Sequence, residues 1–458
     1  MILLTRRERT DLIDAVAKPG LLLAALLVGA WTISACSSPP RHSILLIVVD
    51  TLRYDAGDPG GPPDAAIPQY LLGRGTHFTN AVAASDWTSP SMVALMTGRY
   101  PSDCGLLTAT WTTEFPKSWS LADRVRRTGY RTAAVVSNPT LDGVRLGLQA
   151  GFDSFDDRMS EVERNREVGR RSAPETTDAA LGALSRLAEG RAPWFLWVQY
   201  LEPHGPYSAP APYPQTAKDP GSPIDTAPGD IAGRGLLPRY QYLAEARGRN
   251  DYATRYRASA EWSVDEADRF LRTAAAKGYL KNVTVVFTAD HGEFLGEDDY
   301  WFQHGVHLNP AVVRVPLVIA GSGNEPIRRD SRAVTHLDLV PTLSRILGLP
   351  NSPDLAGIDL FDEHAVRKGP IIVQNIAFPE NAEIGVILKD RFAIQGTGNQ
   401  PESFRVDGQS WEPDGTDLTP GEVQAIATEM QRVRKLPVPT RDVPLEEIQK
   451  LRALGYLH

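Results

Sequence analysis

The stretch Ile44–Val49 places six aliphatic residues in a row and ends abruptly at a carboxylate, Asp50. A short, uninterrupted apolar run is typical of a strand that is buried on both faces, as in parallel sheets. The pattern recurs at Val283–Ala289, which is followed by Asp290 and His291. Open α/β sheets bind ligands beyond the carboxyl ends of their strands. Two such strands that deliver acidic residues to one edge therefore predict a divalent metal site.

Length, charge and cysteine content set the broad class of the protein. The 458 residues are enough for one large α/β domain and a smaller one. The formal net charge of -8 provides no basic surface, so we expect no nucleic-acid partner. Cys104 is the only cysteine after Cys36, and the sequence therefore predicts no internal disulfide.

The first forty residues have the features of an export signal. Three arginines lie within the first nine residues, residues 21–30 are apolar, and Ile33–Cys36 combines a branched aliphatic residue, two small residues and a cysteine. This arrangement resembles a bacterial lipoprotein signal peptide over residues 1–35, with lipidation of Cys36. The alternative is an uncleaved membrane anchor. Either interpretation holds the protein to a membrane outside the cytoplasm, in the periplasm or at the outer membrane of the cell envelope.

Buried strands alternate with helical patterns along the rest of the chain. The predicted strands after the first are 131–137, 194–200, 283–288 and 315–319, and the predicted helices are 121–128, 177–189, 252–277 and 336–347. This alternation predicts an α/β fold with a mostly parallel sheet covered by helices. The long Pro- and Gly-rich segment 203–238 is expected to be a lid or a binding loop.

The C-terminal part differs in character from the preceding sequence. Residues 371–374 and 384–394 have the pattern of antiparallel strands, which predicts a smaller α+β subdomain. The expected organisation is a signal peptide over residues 1–35, a catalytic domain over 36–364 and a C-terminal subdomain over 365–458.

A hydroxyl-rich segment marks the start of a helix at residues 87–99. Pro90 fits the first helical turn, and Thr88 or Ser89 can cap it. A hydroxyl at that point lies near the positive end of the helix dipole, and a metal contact would make it a usable nucleophile. The sequence around these residues leaves both roles open, a simple cap or a nucleophile.

Several histidines follow predicted strands. His204 lies in a Pro-His-Gly-Pro-Tyr segment directly after the strand 194–200, where it could be a ligand or a proton donor. His304 and His307 precede the strand 315–319, and one of this pair is expected to be a bystander. The remaining histidines are expected to be structural: His42, His77, His336 and His364.

The order of these motifs resembles the sulfatase family of the alkaline phosphatase superfamily. The resemblance extends from Ser43 to about Leu349, and the segments 336–343 and 451–456 also fit it. It implies a sulfatase-like α/β fold. It also implies the following roles: metal ligands Asp50, Asp290 and His291, a nucleophile at Thr88, and histidines His204 and His304 that contact the transferred group or the leaving oxygen.

The chain departs from the family pattern at three positions. Thr88 occupies the place of the cysteine or serine that sulfatases oxidise to formylglycine, Met92 replaces an arginine, and Thr51 replaces a second aspartate. The methyl group on the β-carbon of threonine prevents its oxidation to an aldehyde. The implied site therefore holds one divalent ion, Mn, Mg, Ca or Zn, between Asp50, Thr88, Asp290 and His291.

These departures make the chain more similar to the threonine-nucleophile relatives, which are phosphodiesterases and lipoteichoic-acid-type phosphoglycerol transferases. We therefore expect a metal-dependent hydrolase or transferase of phosphate or sulfate esters, with phosphoesters favoured. The substrate could be a glycan or a lipid headgroup. Two alternatives stay open: a sulfuric ester hydrolase, and a non-catalytic cell-surface lipoprotein that uses the fold for binding.

Overall fold

The structure, a computed structural model, describes residues 42–435. The gaps within this range are 59–63, 106–115, 142–145, 164, 167, 322–326, 351, 353, 377–381, 398–399 and 407–410. The predicted signal peptide with Cys36, and the segment 451–456, lie outside the described residues. Among the helices that the structure describes, none combines the length and apolar character needed to cross a membrane.

The described residues form strands and α-helices in alternation through most of the chain. The strands are β1 Ser43–Val49, β2 Thr76–Val82, β3 Arg131–Val136, β4 Ser154–Asp156, β5 Glu161–Val162, β6 Gly169–Arg170, β7 Trp194–Tyr200, β8 Asp225–Thr226, β9 Leu236–Leu237, β10 Val283–Ala289, β11 Arg314–Ala320, β12 Arg328–Thr335, β13 Ile371–Asn375, β14 Glu383–Leu388, β15 Arg391–Gly396, β16 Glu402–Val406 and β17 Trp411–Pro413. The helices are α1 Thr88–Thr97, α2 Leu121–Arg126, α3 Ala173–Ala188, α4 Arg249–Ala276, α5 Pro310–Val313, α6 Leu339–Ile346 and α7 Pro420–Lys435.

Eight strands form the central sheet in the order β12-β2-β11-β10-β1-β7-β3-β4. Strands β10, β1, β7, β3 and β4 are mutually parallel, and β11 is antiparallel to both of its neighbours. All residues of β1, β7, β10 and β11 are buried, which explains why their sequences are mostly apolar. Helix α3 packs on β3 and β7, and α4 packs on α3. The predicted mostly parallel sheet with flanking helices is confirmed.

A second sheet lies in the C-terminal part of the chain. Strands β13 to β17 are antiparallel in sequence order. Helix α7 packs against this sheet through Ile426, and another apolar cluster joins the sheet to Phe294 and Leu308 of the preceding part of the chain. The predicted stretch 384–394 is a hairpin, because the polar turn at Lys389, with a φ of 59°, separates β14 from β15.

The strand register brings the predicted acidic residues together. Val49, the last residue of β1, lies opposite Ala289 of β10 on one side and opposite Tyr200 of β7 on the other. Because these strands are parallel, the residues that follow them emerge at the same edge of the sheet. Asp50 and Asp290 are therefore neighbours at this edge. The N–H of Thr51, the residue after Asp50, contacts the Asp290 carboxylate although 239 positions separate the two residues.

Candidate metal and catalytic site

Two buried aspartates form the centre of the site. The backbone N–H of Thr51 donates to Asp290 Oδ1 at 3.0 Å, which connects the ends of β1 and β10 directly. The backbone N–H of His291 donates to the same oxygen at 2.8 Å. Asp50, Asp290 and His291 each offer one ligand atom, and these three atoms lie within 4.8 Å of one another. The structure thus brings three of the four implied metal ligands together.

Two amide side chains that the sequence did not indicate orient Asp50. Asn138 Nδ2 and Gln199 Nε2 both donate to Asp50 Oδ2. Gln199 lies within the apolar strand β7, and Asn138 follows β3 by two residues. A buried amide needs hydrogen-bond partners, so a glutamine inside an apolar strand was the signal that could have revealed this contact.

Thr88 lies next to the aspartate pair. Its Oγ1 is 3.2 Å from His291 Nε2, and both side chains are buried. His291 Nδ1 lies 2.8 Å from the Gly292 carbonyl oxygen and donates to it, which leaves Nε2 with a lone pair directed toward the site. Thr88 is also the first residue of α1, so its hydroxyl is close to the positive end of the helix dipole.

Helix α1 is held next to the end of β10 by contacts of Ser91. Ser91 Oγ donates to the backbone carbonyl of Asp290 at 2.6 Å and lies 3.2 Å from His336 Nδ1. His336 Nε2 lies 3.5 Å from the Thr288 hydroxyl on β10. His336 thus connects Ser91 of α1 to Thr288 of β10. Ser91 lies about one helical turn after Thr88.

His304 and His204 extend the group of buried side chains that begins with His291. The His304 ring centroid is 4.5 Å from that of His291 and 5.3 Å from that of His204. His304 Nδ1 is 3.0 Å from Glu293 Oε1, and His204 Nδ1 is 2.8 Å from the Gly205 carbonyl oxygen. The structure therefore brings His204 and His304 into one group with His291, although their loops are a hundred residues apart.

Burial controls the protonation of these groups in the ion-free protein. It lowers the pKa of His291 to about 4 and that of His304 to about 3, and it lowers the pKa of His204 well below its usual value. Burial also raises the pKa of Glu293 well above its usual value. The opposite shifts of Glu293 and His304 favour the proton of this hydrogen-bonded pair on the carboxyl group.

His307, the other member of the histidine pair, faces away from Thr88. Its Nδ1 is 2.9 Å from Glu383 Oε1 on β14, and its ring stacks against Phe294. His307 therefore contacts the C-terminal sheet, whereas His304 contacts Glu293 and His291. The Arg99 guanidinium, at the end of the same hydroxyl-rich segment as Thr88, lies over the Trp119 ring at 3.8 Å.

The aspartate pair has the features of a cation site. Asp50 Oδ1 and Asp290 Oδ2 are buried and have no hydrogen-bond partner among the described residues. Burial and repulsion from Asp290 raise the pKa of Asp50 well above its usual value, and burial raises that of Asp290. Unpartnered buried carboxylate oxygens are costly, and a divalent ion would neutralise both. The donor set of two carboxylates and one imidazole suits Mn, Mg, Ca or Zn.

The side chain of Trp87, the residue before Thr88, packs closely against a glycine. Trp87 Nε1 donates to the Gly305 carbonyl oxygen at 2.6 Å, and a Cβ added to Gly305 would overlap the indole ring. Gly305 also has a φ of 75°, which favours glycine. The contact fixes the start of α1 against the loop that carries His304.

Replacing Gly305 by alanine should therefore damage both folding and activity. We expect a loss of about 3 kcal/mol or more in unfolding free energy, from backbone strain together with overpacking. Turnover should fall because Trp87 must move and Thr88 with it. Gly278→Ala is the matched control, since its φ is 74° and it has no atom within 4 Å of the added Cβ. Thermal unfolding and turnover of the two variants provide the comparison; equal losses in both would contradict the role of the indole contact.

Comparison with known proteins identifies related chains. The family described as Sulfatase matches residues 42–349. The "Low-salt glycan biosynthesis sulfotransferase Agl7" of Haloferax volcanii is 24% identical over 325 residues, which are 70% of this chain and 64% of that protein. The "Ulvan-active sulfatase" of Formosa agariphila is 28% identical over 362 residues, which are 74% and 67% of the two chains. This chain thus spans about two thirds of the length of these relatives.

Solved structures show the same fold. The phosphonate monoester hydrolase of Agrobacterium radiobacter superposes with a TM-score of 0.61 at 19% identity. The alignment covers 91% of this chain and 96% of the hydrolase. At this identity the similarity concerns the fold.

Proposed function

The chain belongs to the sulfatase family, and from this membership and its site we propose that it is a metal-dependent phosphodiesterase or phosphoryl transferase that uses Thr88 as its nucleophile. Sulfatase-family ester hydrolysis or transfer is the general activity; the preference for phosphorus and the role of Thr88 are the specific proposal. One observation carries it: the Thr88 hydroxyl lies 3.2 Å from His291 Nε2, beside the unpartnered oxygens of Asp50 and Asp290.

The proposed ligands are Asp50, Asp290, His291 and the Thr88 hydroxyl. A divalent ion held by them would supply Lewis acidity, which favours the alkoxide form of Thr88 and neutralises charge on the ester oxygens. Asn138 and Gln199 contribute by fixing Asp50 Oδ2, so that its other oxygen faces the site. Removal of these amides is expected to loosen the carboxylate rather than to remove it.

In the proposed reaction, Thr88 releases its hydroxyl proton to solvent water, and the resulting Oγ1 alkoxide forms a bond to phosphorus while the bond from phosphorus to the leaving oxygen breaks. His304 carries a hydrogen on Nε2 when its Nδ1 accepts from protonated Glu293. Transfer of the Nε2 hydrogen to the leaving oxygen is balanced when Glu293 passes its own hydrogen to Nδ1 and becomes a carboxylate. Their hydrogen bond of 3.0 Å provides this connection.

His204 has a different proposed role. Its Nδ1 donates to the Gly205 carbonyl oxygen, so Nε2 has a lone pair and can accept a hydrogen bond. The ring stacks against Tyr240, with centroids 5.6 Å apart, which fixes its orientation. We assign to His204 the orientation of the incoming water or acceptor alcohol that releases the covalent adduct from Thr88.

The nucleophile favours phosphorus over sulfur. Threonine cannot yield the aldehyde hydrate that would expel sulfate by breaking a carbon–oxygen bond. The Thr88 adduct can therefore be released only by a second attack on phosphorus or sulfur. The charge of the site adds a second preference, since two aspartates balance a divalent ion and favour a singly charged ester, such as a phosphodiester, over a doubly charged phosphomonoester.

Sulfuric ester hydrolysis is the second candidate, because the Formosa relative is named as an ulvan-active sulfatase. The names of the two relatives also support a glycan as the natural substrate, and a lipid headgroup is the alternative. Attachment to the membrane through lipidated Cys36 would place the enzyme near such substrates in the cell envelope.

A paired substrate assay tests the proposed function. We expect bis(para-nitrophenyl) phosphate to be cleaved with a kcat/KM at least about tenfold above those of para-nitrophenyl phosphate and para-nitrophenyl sulfate, equivalent to about 1.4 kcal/mol. The assay is run with Mn, Mg, Ca and Zn in turn. Acid quenching during turnover, followed by peptide mass spectrometry, should detect a para-nitrophenyl phosphoryl group on Thr88. Faster release of sulfate would support the second candidate, and adduct on another residue would reject Thr88.

A further inference from the structure

A second group of potential ligands lies between the loop 290–313 and the C-terminal sheet. Asp298, His307 and Glu402 each offer one ligand atom, and these atoms lie within 4.8 Å of one another. His307 Nε2 is 3.5 Å from Glu402 Oε1 and 3.8 Å from Asp298 Oδ2. Glu402 is the first residue of β16, while Asp298 and His307 belong to the loop between β10 and β11.

His307 is directed into this group by a fixed contact on its other side. Its Nδ1 lies 2.9 and 3.1 Å from the two oxygens of Glu383, and its side chain is only 3% exposed. Nε2 is buried and makes no hydrogen bond within the described part of the chain. An imidazole that donates to a carboxylate through one nitrogen and faces further acidic groups with the other is the usual arrangement of a metal-ligating histidine.

The charge around His307 favours a cation. Asp86 and Glu383 are buried near His307, and Glu383 contacts its Nδ1. Arg234 and Asn309 also face Asp298. Four carboxylates therefore face one arginine and one imidazole.

The spacing of the three ligand atoms fits an ion better than direct hydrogen bonds. The separations of 3.5 and 3.8 Å exceed the usual range for N–H···O bonds. Ligands placed about 2.1 Å from a tetrahedral zinc ion are about 3.4 Å from one another. A cavity of about 580 Å³, lined in part by Asp298 and Glu402, leaves room for water as a further ligand.

We propose that Asp298, His307 and Glu402 bind a second divalent cation of the zinc class, separate from the ion at Asp50 and Asp290. The site would join the loop 290–313 to β16. Because the same loop carries Glu293 and His304, the ion would stabilise the part of the chain that holds the proton donor. Its role is structural, and the ester chemistry does not pass through it.

Metal stoichiometry tests this proposal. The purified full-length protein is equilibrated with zinc, dialysed, and measured for zinc per chain by mass spectrometry. We expect two ions in the wild type and one in the double variant Asp298→Asn/Glu402→Gln. Asp290→Asn should also retain one, and the triple variant none. Chelator should still lower the melting temperature of Asp290→Asn, because this variant keeps the second site. That contribution to the fall in melting temperature should be absent from the double variant.

The variants separate the two sites from each other. If Asp290→Asn binds no zinc and the double variant binds as much as the wild type, the second site does not exist. If the double variant binds none and Asp290→Asn keeps one ion, the second site is upheld and the metal role of Asp290 fails. Anomalous scattering from zinc-soaked crystals provides an independent measurement, with the expected peak beside His307 Nε2. Full occupancy in the double variant, with no peak at His307, overturns the proposal.

Discussion

Replacement of Thr88 by valine should reduce phosphodiester turnover by about four orders of magnitude or more, as loss of an essential nucleophile does in other covalent enzymes. Valine keeps the shape and the β-branch but lacks the hydroxyl. The variant should still fold, because among the described residues the Thr88 hydroxyl makes one hydrogen bond, with His291, and its loss is expected to cost about 1 kcal/mol. Steady-state kinetics and thermal unfolding measure the two effects separately.

Two further variants identify the hydroxyl as the cause. Thr88→Ser keeps a hydroxyl on the same carbon and should restore turnover and the covalent adduct. Ser89→Ala removes the neighbouring hydroxyl, which lies 3.3 Å from the Thr140 carbonyl oxygen and faces away from His291, and should leave turnover close to that of the wild type. Substantial activity in Thr88→Val, or its loss in Ser89→Ala alone, would reassign the nucleophile.

Replacement of Asp290 by asparagine should have opposite effects on activity and on the stability of the ion-free protein. Turnover should fall on the order of a thousandfold or more, since a charged group at the reacting centre is lost. In the presence of a chelator the variant should be more stable than the wild type by about 1–4 kcal/mol, the range seen when a buried ion pair is replaced by well-packed hydrophobic residues of similar volume. Chemical unfolding with and without chelator measures the difference.

The pH dependence of stability provides a second measurement of the same effect. Asp50 and Asp290 both have raised pKa values in the ion-free folded protein. The folded state therefore binds more protons than the unfolded state, and stability falls as pH rises above about 4 toward the folded pKa values. Asp290→Asn removes one of these groups and the repulsion on the other, so its stability should vary less with pH. An equal or steeper dependence in the variant would contradict the repulsion.

The parts of the fold that the sequence indicated well are those in which burial is complete. Strands β1, β7 and β10 are buried along their whole length, and their mostly apolar sequences identified them within a residue at each end. Strand β12 escaped detection because it lies at the edge of the sheet, where five of its eight residues are not buried and its first part is rich in charge. Strand β2 pairs with it and has a mixed polar sequence.

The candidate site shows a similar division. Asp50, Asp290, His291 and Thr88 belong to motifs that remain recognisable along the chain. The contacts that give them specific roles depend on tertiary structure: Asn138 reaches Asp50 across 88 positions, and His304 pairs with Glu293 rather than with Asp290. Spacing along a sequence does not determine which nitrogen of an imidazole faces which carboxylate, so this part of the site could be obtained only from the coordinates.

Strand β11 is antiparallel to both of its neighbours, and this direction has an evolutionary consequence. Because β10 ends and β11 begins at the same edge of the sheet, the intervening segment leaves and re-enters the sheet at adjacent points. Insertions or deletions in that segment would leave the pairing of the two strands intact. Substrate preference can therefore diverge among descendants of this protein through changes in the segment between β10 and β11, while Asp50 and Asp290 keep their inherited positions.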